Sequence, residues 1–200
     1  MSANVCDTDD DTDELPDAYI DDDGNIIDLI DNINTHLFIN DDEEIVKKAQ
    51  IINNICKVFD SNKCFYSKRN VDKMQISNVA PFYSEIIPSI LIKEYIIRIV
   101  QYAHASSSML IVSMILLQRF CNIKDYIINV YAVHRLFLVS FLISVKLYED
   151  SFKNNAYYAH IGGIPLKEIN DLELCFLGAI NFDLCITTEE YEKMFNQLIN

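Results

Sequence analysis

The sequence predicts an all-α protein: five helices bundled around a buried central one, preceded by an N-terminal helix and a disordered acidic tail. Three observations predict it. From residue 85 onward, apolar residues recur at helical spacing, and strand-like alternation is poor throughout. Gly and Pro are scarce, at four each, which disfavours turn-rich sandwiches and barrels and also Gly-rich phosphate loops. Charge is segregated: residues 1–44 hold 13 Asp and 3 Glu with no Lys or Arg, whereas the remainder holds 14 acids against 16 bases. With 200 residues, half of them hydrophobic, the chain can bury one domain-sized core.

The elements follow in order. Residues 1–44 are rich in Asp, Asn and Thr and cannot bury enough surface to offset ordering entropy, so a disordered tail is expected. Residues 45–84 form an N-terminal helix and a connector. Asp41 or Asp42 can cap that helix, Glu43 and Glu44 suit its first turn, and Ile45, Ala49, Ile52 and Val58 give it an apolar stripe. Residues 60–84 read as connector. The bundle, residues 85–200, opens with a helix from about Leu91 to Tyr102, with Ile92, Ile96 and Ile99 on one face. A second starts from a Ser106–Ser108 cap. The third, from about Val130 to Tyr148, is apolar nearly all round, the mark of a helix buried on every side. A short fourth runs from about Asn155 to His160, capped by Asn154 and stopped at Gly162-Gly163. The fifth has Pro165 in its first turn and buries Ile169, Leu172, Phe176 and Ile180. A last short helix begins at Thr187 or Thr188, ahead of Glu189 and Glu190.

Composition also excludes function classes. The formal net charge of -14 belongs to the tail, which repels nucleic acid and anionic lipid, and the rest offers no basic footprint. No pair among the six Cys has CxxC spacing, and Cys121 and Cys175 fall inside apolar helical patterns, so they read as reduced core thiols. The four His show no metal-ligand spacing, and His134 reads as a satisfied core or edge residue. No cofactor site and no catalytic array is readable. The N-terminus lacks a basic-then-apolar signal peptide, and no apolar run approaches the ~20 residues of a spanning helix. The expected setting is intracellular, cytoplasmic or nuclear, without membrane, nucleic-acid or small-molecule partners.

Four blocks of sequence then carry a resemblance: IPSILIKEYIIRIVQYAHASSSMLIVSMILLQRF at 87–120, VHRLFLVSFLISVKLYED at 133–150, NNAYYAHIGGI at 154–164 and LKEINDLELCFLGAINFDL at 166–184. In order and spacing they resemble a single cyclin box of the P/U type, the type found in phosphate-response (PHO) cyclins. The motif N-x-x-Y-A-x-x-G-G-I is its most specific part. The resemblance implies a cyclin-box fold and a non-catalytic subunit that activates a cyclin-dependent serine/threonine kinase, in cell-cycle or phosphate signalling. It implies that Lys146 and Glu173 come together to grip the backbone leading into the kinase αC helix, and that Leu147, Leu177 and Leu184 make apolar contacts with the kinase. Asp150, Asn155 and Tyr158 match signature positions that shape this corner or touch the kinase. Arg98 matches an Arg of the first helix and reads as structural. The chain has no Trp, which removes the apolar patch with which cell-cycle cyclins dock substrates. The alternative is a cyclin-fold adaptor in transcription or another protein–protein interaction, without kinase activation.

Overall fold

The computed structural model describes residues 43–60, 80–126 and 128–199. The expected disordered tail before Glu43, and residues 61–79 of the expected connector, lie outside the described residues. Within them the elements are α1 (Glu43–Asp60), a 3-10 turn (Ala80–Phe82), α2 (Ile92–Ala103), α3 (Ser107–Lys124), α4 (Val133–Tyr148), α5 (Asn155–Gly162), α6 (Leu166–Ala179) and α7 (Thr188–Ile199). No strand occurs among the described residues. No helix among them is long and apolar enough to cross a membrane.

Helix α4 is the axis of the bundle. From Val133 to Val145 every residue except Arg135 is buried, and α2, α3, α5 and α6 all pack on it. Ser140 and Ser144 survive in that setting because their hydroxyls bond back to Phe137 O and Phe141 O one turn earlier. Arg135, the exception, reaches outward to Glu168 of α6 at 2.6 Å.

The caps explain where most helices start and stop. The Asn154 side chain accepts from Tyr157 N at 2.9 Å and starts α5. That helix ends at Gly163, whose φ of 69° is left-handed. Gly162 has a different reason: a Cβ there would collide with the Leu138 side chain of α4. Pro165 stands one position earlier than expected, as the N-cap of α6 rather than in its first turn, while Ile169, Leu172, Phe176 and Ile180 are buried as read. Thr187 and Glu190 form a reciprocal capping box on α7.

Four expectations are corrected. The serines of 106–108 do not cap α3 with their side chains. Its first amides instead donate to distant acids, Ser106 N to Glu149 Oε1 and Ser107 N to Glu44 Oε1. The sealed stripe of α1 is Ile51, Ile52, Ile55, Cys56 and Phe59, leaving Ile45, Ala49 and Val58 half-buried. The cause is that α1 packs against α7, α2 and α3 together and not on one surface. Its Gln50 and Asn54 amides also satisfy the Ile199 and Leu198 carbonyls at the end of α7. Phe82, assigned to the connector, is core: it meets Phe120 edge-on at 5.3 Å and Phe176 at 6.2 Å, and those two stack at 5.0 Å. Cys175 is exposed, whereas Cys121 is buried and its thiol is pushed up to about 12 by desolvation. Glu43 and Glu44, which the boundary at 44/45 counts with the tail, open the helix, as their fit to its first turn predicts.

Candidate functional site

Lys146 stands in the last turn of α4, where a cation suits the helix dipole, and Glu173 stands in the middle of α6. The packing of α6 on α4 brings them together: Lys146 Nζ lies 2.7 Å and 3.0 Å from the two Glu173 carboxylate oxygens. Their side chains are 28% and 16% exposed, so the pair is partly desolvated yet open on one side. Asn155, the first residue of α5, buttresses it. Its Nδ2 donates to Glu173 Oε2 at 2.8 Å and to Asn170 Oδ1 at 2.7 Å. Three residues expected at one corner are thus a connected polar network drawn from three helices.

Apolar side chains flank the pair in the chain. Leu147 and Tyr148 follow Lys146, Leu174 follows Glu173 and is 66% exposed, and Phe152 stands out from the turn between α4 and α5. Leu177 and Leu184 are half-buried, and Asp150 is exposed beyond the end of α4. Tyr158 is 0% exposed, with its hydroxyl unpartnered and pushed up to about 12 by burial.

Sequence reading passed over four exposed apolar side chains on or next to α4 and α6: Tyr148, Phe152, Leu174 and Phe182. Phe182 is 60% exposed in the segment between α6 and α7. For Phe152 and Phe182 the available signal was an aromatic residue just past the end of a predicted helix, where no stripe needs it. Tyr148 ties that segment to α4 by donating its hydroxyl to Leu184 O at 3.1 Å.

His134 and Arg98 lie on another side of the bundle. The His134 Nε2 is 3.1 Å from Ile90 O, an acceptor, so Nε2 carries the proton, and the ring meets Tyr95 edge-on at 5.0 Å. Burial lowers its pKa below the usual histidine value, and Nδ1 is left without a partner, so the residue is only half satisfied. The Arg98 guanidinium sits over the Tyr95 ring at 5.3 Å, while its Nε has no partner. The Tyr95 hydroxyl donates to Gly162 O at 3.1 Å.

Comparison with known proteins meets this architecture from outside. The family model described as Cyclin matches residues 25–184. Cyclin-U4-1 of Arabidopsis thaliana is 38% identical over 125 residues, which is 62% of this chain and 62% of that protein. Cyclin-P4-1 of Oryza sativa subsp. japonica is 41% identical over 110 residues, 54% of this chain and 52% of that protein. PHO85 cyclin-like protein psl1 of Schizosaccharomyces pombe is 33% identical over 121 residues, 60% of this chain and 50% of that protein. The match therefore spans 50% to 62% of the length of these relatives. A largely buried central helix with four others packed on it, and a family match across 25–184, have one reading: the chain belongs to the cyclin family, among its P/U-type members.

Proposed function

We propose that this chain is a non-catalytic regulatory subunit that binds and activates a cyclin-dependent serine/threonine kinase inside the cell. The observation that carries the reading is the Lys146–Glu173 pair, held by Asn155 and flanked by exposed Leu147 and Leu174. A partly desolvated ion pair beside exposed apolar side chains offers a partner both directional hydrogen bonds and apolar area, and truncating one member of such a pair at an interface costs affinity. Exposed apolar residues are ordinary when scattered, but here they adjoin a fixed charge pair that has hydrogen-bonding capacity to spare.

In this reading Lys146 donates to backbone carbonyls, and Glu173 accepts backbone N–H groups, of the kinase segment entering its αC helix. Leu147, Leu177 and Leu184 supply apolar contact, Asp150 lies at the rim, and Asn155 and Tyr158 hold the corner in shape. The kinase supplies ATP and metal binding and the catalytic base, and it transfers phosphate only when its β3 Lys is paired with its αC Glu. A subunit that binds the αC-in state preferentially shifts the population toward it. Moving 1:99 to 99:1 takes a preference of about 5.5 kcal/mol. The similarity to PHO85 cyclin-like protein psl1 makes phosphate and nutrient signalling the first process in which to seek the kinase.

The test is a pull-down from the source cell's kinases with a phosphotransfer assay, comparing wild type with Lys146→Ala/Glu173→Ala. The double variant should stay helical by circular dichroism and lose about 2–5 kcal/mol of affinity, seen mostly as faster dissociation. Equal binding by both chains would remove the site from the reading. Absence of any kinase would move the adaptor role to the front.

A further inference from the structure

The segment joining α6 to α7 is held to an unusual degree. Three consecutive backbone carbonyls are fixed by side chains from two other helices. Arg119 of α3 donates from Nη1 to Asp183 O at 2.9 Å and from Nη2 to Cys185 O at 2.7 Å. Tyr148 of α4 donates to Leu184 O, between them. The guanidinium is itself anchored. Its Nη2 lies 2.8 Å from both Glu190 carboxylate oxygens, and its Nη1 lies 3.3 Å from the Asp183 carboxylate. Glu190 in turn accepts from Thr187 N at 2.9 Å.

This holding has something to oppose. Asn181 and Phe182 both have a φ of 54°. Asn181 takes it as the C-terminal turn of α6, where Phe182 N donates to Leu177 O at 2.9 Å and Asn181 N to Gly178 O at 3.1 Å. Phe182 is the outlier, because the left-handed region is rare for a bulky residue and persists only where the surroundings over-determine it. Phe182 nevertheless stands 60% exposed. The Arg119 side chain is 15% exposed, so its fork is committed to this one task.

We infer that Arg119 is a positioning residue: it presets the 181–185 backbone so that Phe182 and Leu184 are presented to the kinase before binding. The inference rests on the regulatory-subunit reading above. Only a guanidinium can hold two carbonyls and a carboxylate at once in a fixed plane, and a lysine ammonium cannot reproduce that fork. Presetting a loop removes its ordering cost from the binding step. Arg119 would thus act through the loop and touch no partner itself. The α7 helix becomes part of the binding apparatus, because it supplies Glu190.

The test uses the full chain and the kinase recovered with wild type. Amide hydrogen exchange is read over residues 181–187, and kinase affinity is measured for Arg119→Met, Arg119→Lys, Phe182→Ala and the Arg119→Met/Phe182→Ala double variant. Arg119→Met should raise exchange at 183–186 and weaken kinase binding about tenfold, with helix content unchanged. Arg119→Lys should fall between. The double variant should bind little worse than either single one, because both act through the same side chain. Should Arg119→Met fail to fold, Glu190→Gln removes the guanidinium's anchor from a more exposed position and must move exchange and affinity the same way. Unchanged exchange overturns the inference, as does raised exchange with wild-type affinity in a chain that still needs Lys146 and Glu173. If wild type binds no kinase, the regulatory-subunit reading falls and the inference falls with it.

Discussion

Burial works to raise the pKa of Glu44, but the Ser107 amide and hydroxyl and the nearby Lys48 and Lys47 outweigh it, and the carboxylate ends below its usual value of 4.5. A folded-state pKa below the unfolded one contributes stability above the unfolded value, and that contribution is lost as pH falls through the folded value. Glu44→Gln should therefore cost about 1 kcal/mol at pH 7, as for a lost helix cap. The deficit should shrink on acidification below about pH 4.5, where wild type loses the same contribution. Urea unfolding of both chains at a series of pH values reads this. Glu190, lowered by Arg119 and Thr187, titrates in the same direction, so the difference between the two chains carries the result. Residues of this kind mark the limit of the sequence. Lys146, Glu173 and Asn155 were legible because they fall in blocks with a family pattern. The bonds of Glu44 and Arg119 were not, although Arg119 falls in the first block, because no pattern position marks them and their partners lie far along the chain, Ser107 at 63 positions and Glu190 at 71. Local patterns carry no information about such pairs.

Among the elements, α4, α5, α6 and α7 could be read because their causes are local: an all-apolar run, an Asn or Thr cap, a glycine stop, a stripe at helical spacing. The sealed face of α1 could not, because three neighbours choose it. Phe82 was hidden for a similar reason, since a short turn has no period and its burial is set by Phe120 and Phe176. Two phenylalanines now carry opposite expectations. Phe82→Ala should cost about 3–5 kcal/mol, as for a filled core site left empty. Phe182→Ala should stay within roughly 0.5 kcal/mol of wild type, because it removes exposed surface. Chemical denaturation of the two variants separates them, and equal losses would show that Phe182 is packed.

At the scale of the molecule, α1 behaves as part of the bundle. Ile51, Ile55 and Phe59 are fully buried, and its Gln50 and Asn54 close the end of α7. A chain lacking residues 1–60 should lose several kcal/mol, since each fully buried large side chain contributes roughly 1.5–3 kcal/mol. Its urea transition should move to lower concentration and its apolar dye binding should rise. An unshifted midpoint would mean that the bundle is complete from α2 onward. The segregation of charge between the first 44 residues and the rest was visible in the sequence, because composition needs no partner to be read.

The two glutamates that bind the first amides of α3 bear on the time course of folding. Helical proteins reach their folded state quickly when most of their contacts are local. The first amides of α3 wait instead for carboxylates 63 and 43 positions away, on α1 and just past α4. Each closes a long loop, and loop closure must come before the bond that rewards it. Helix α3 is therefore expected to complete its first turn last, which φ-values near zero for Glu44 and Glu149 variants would show.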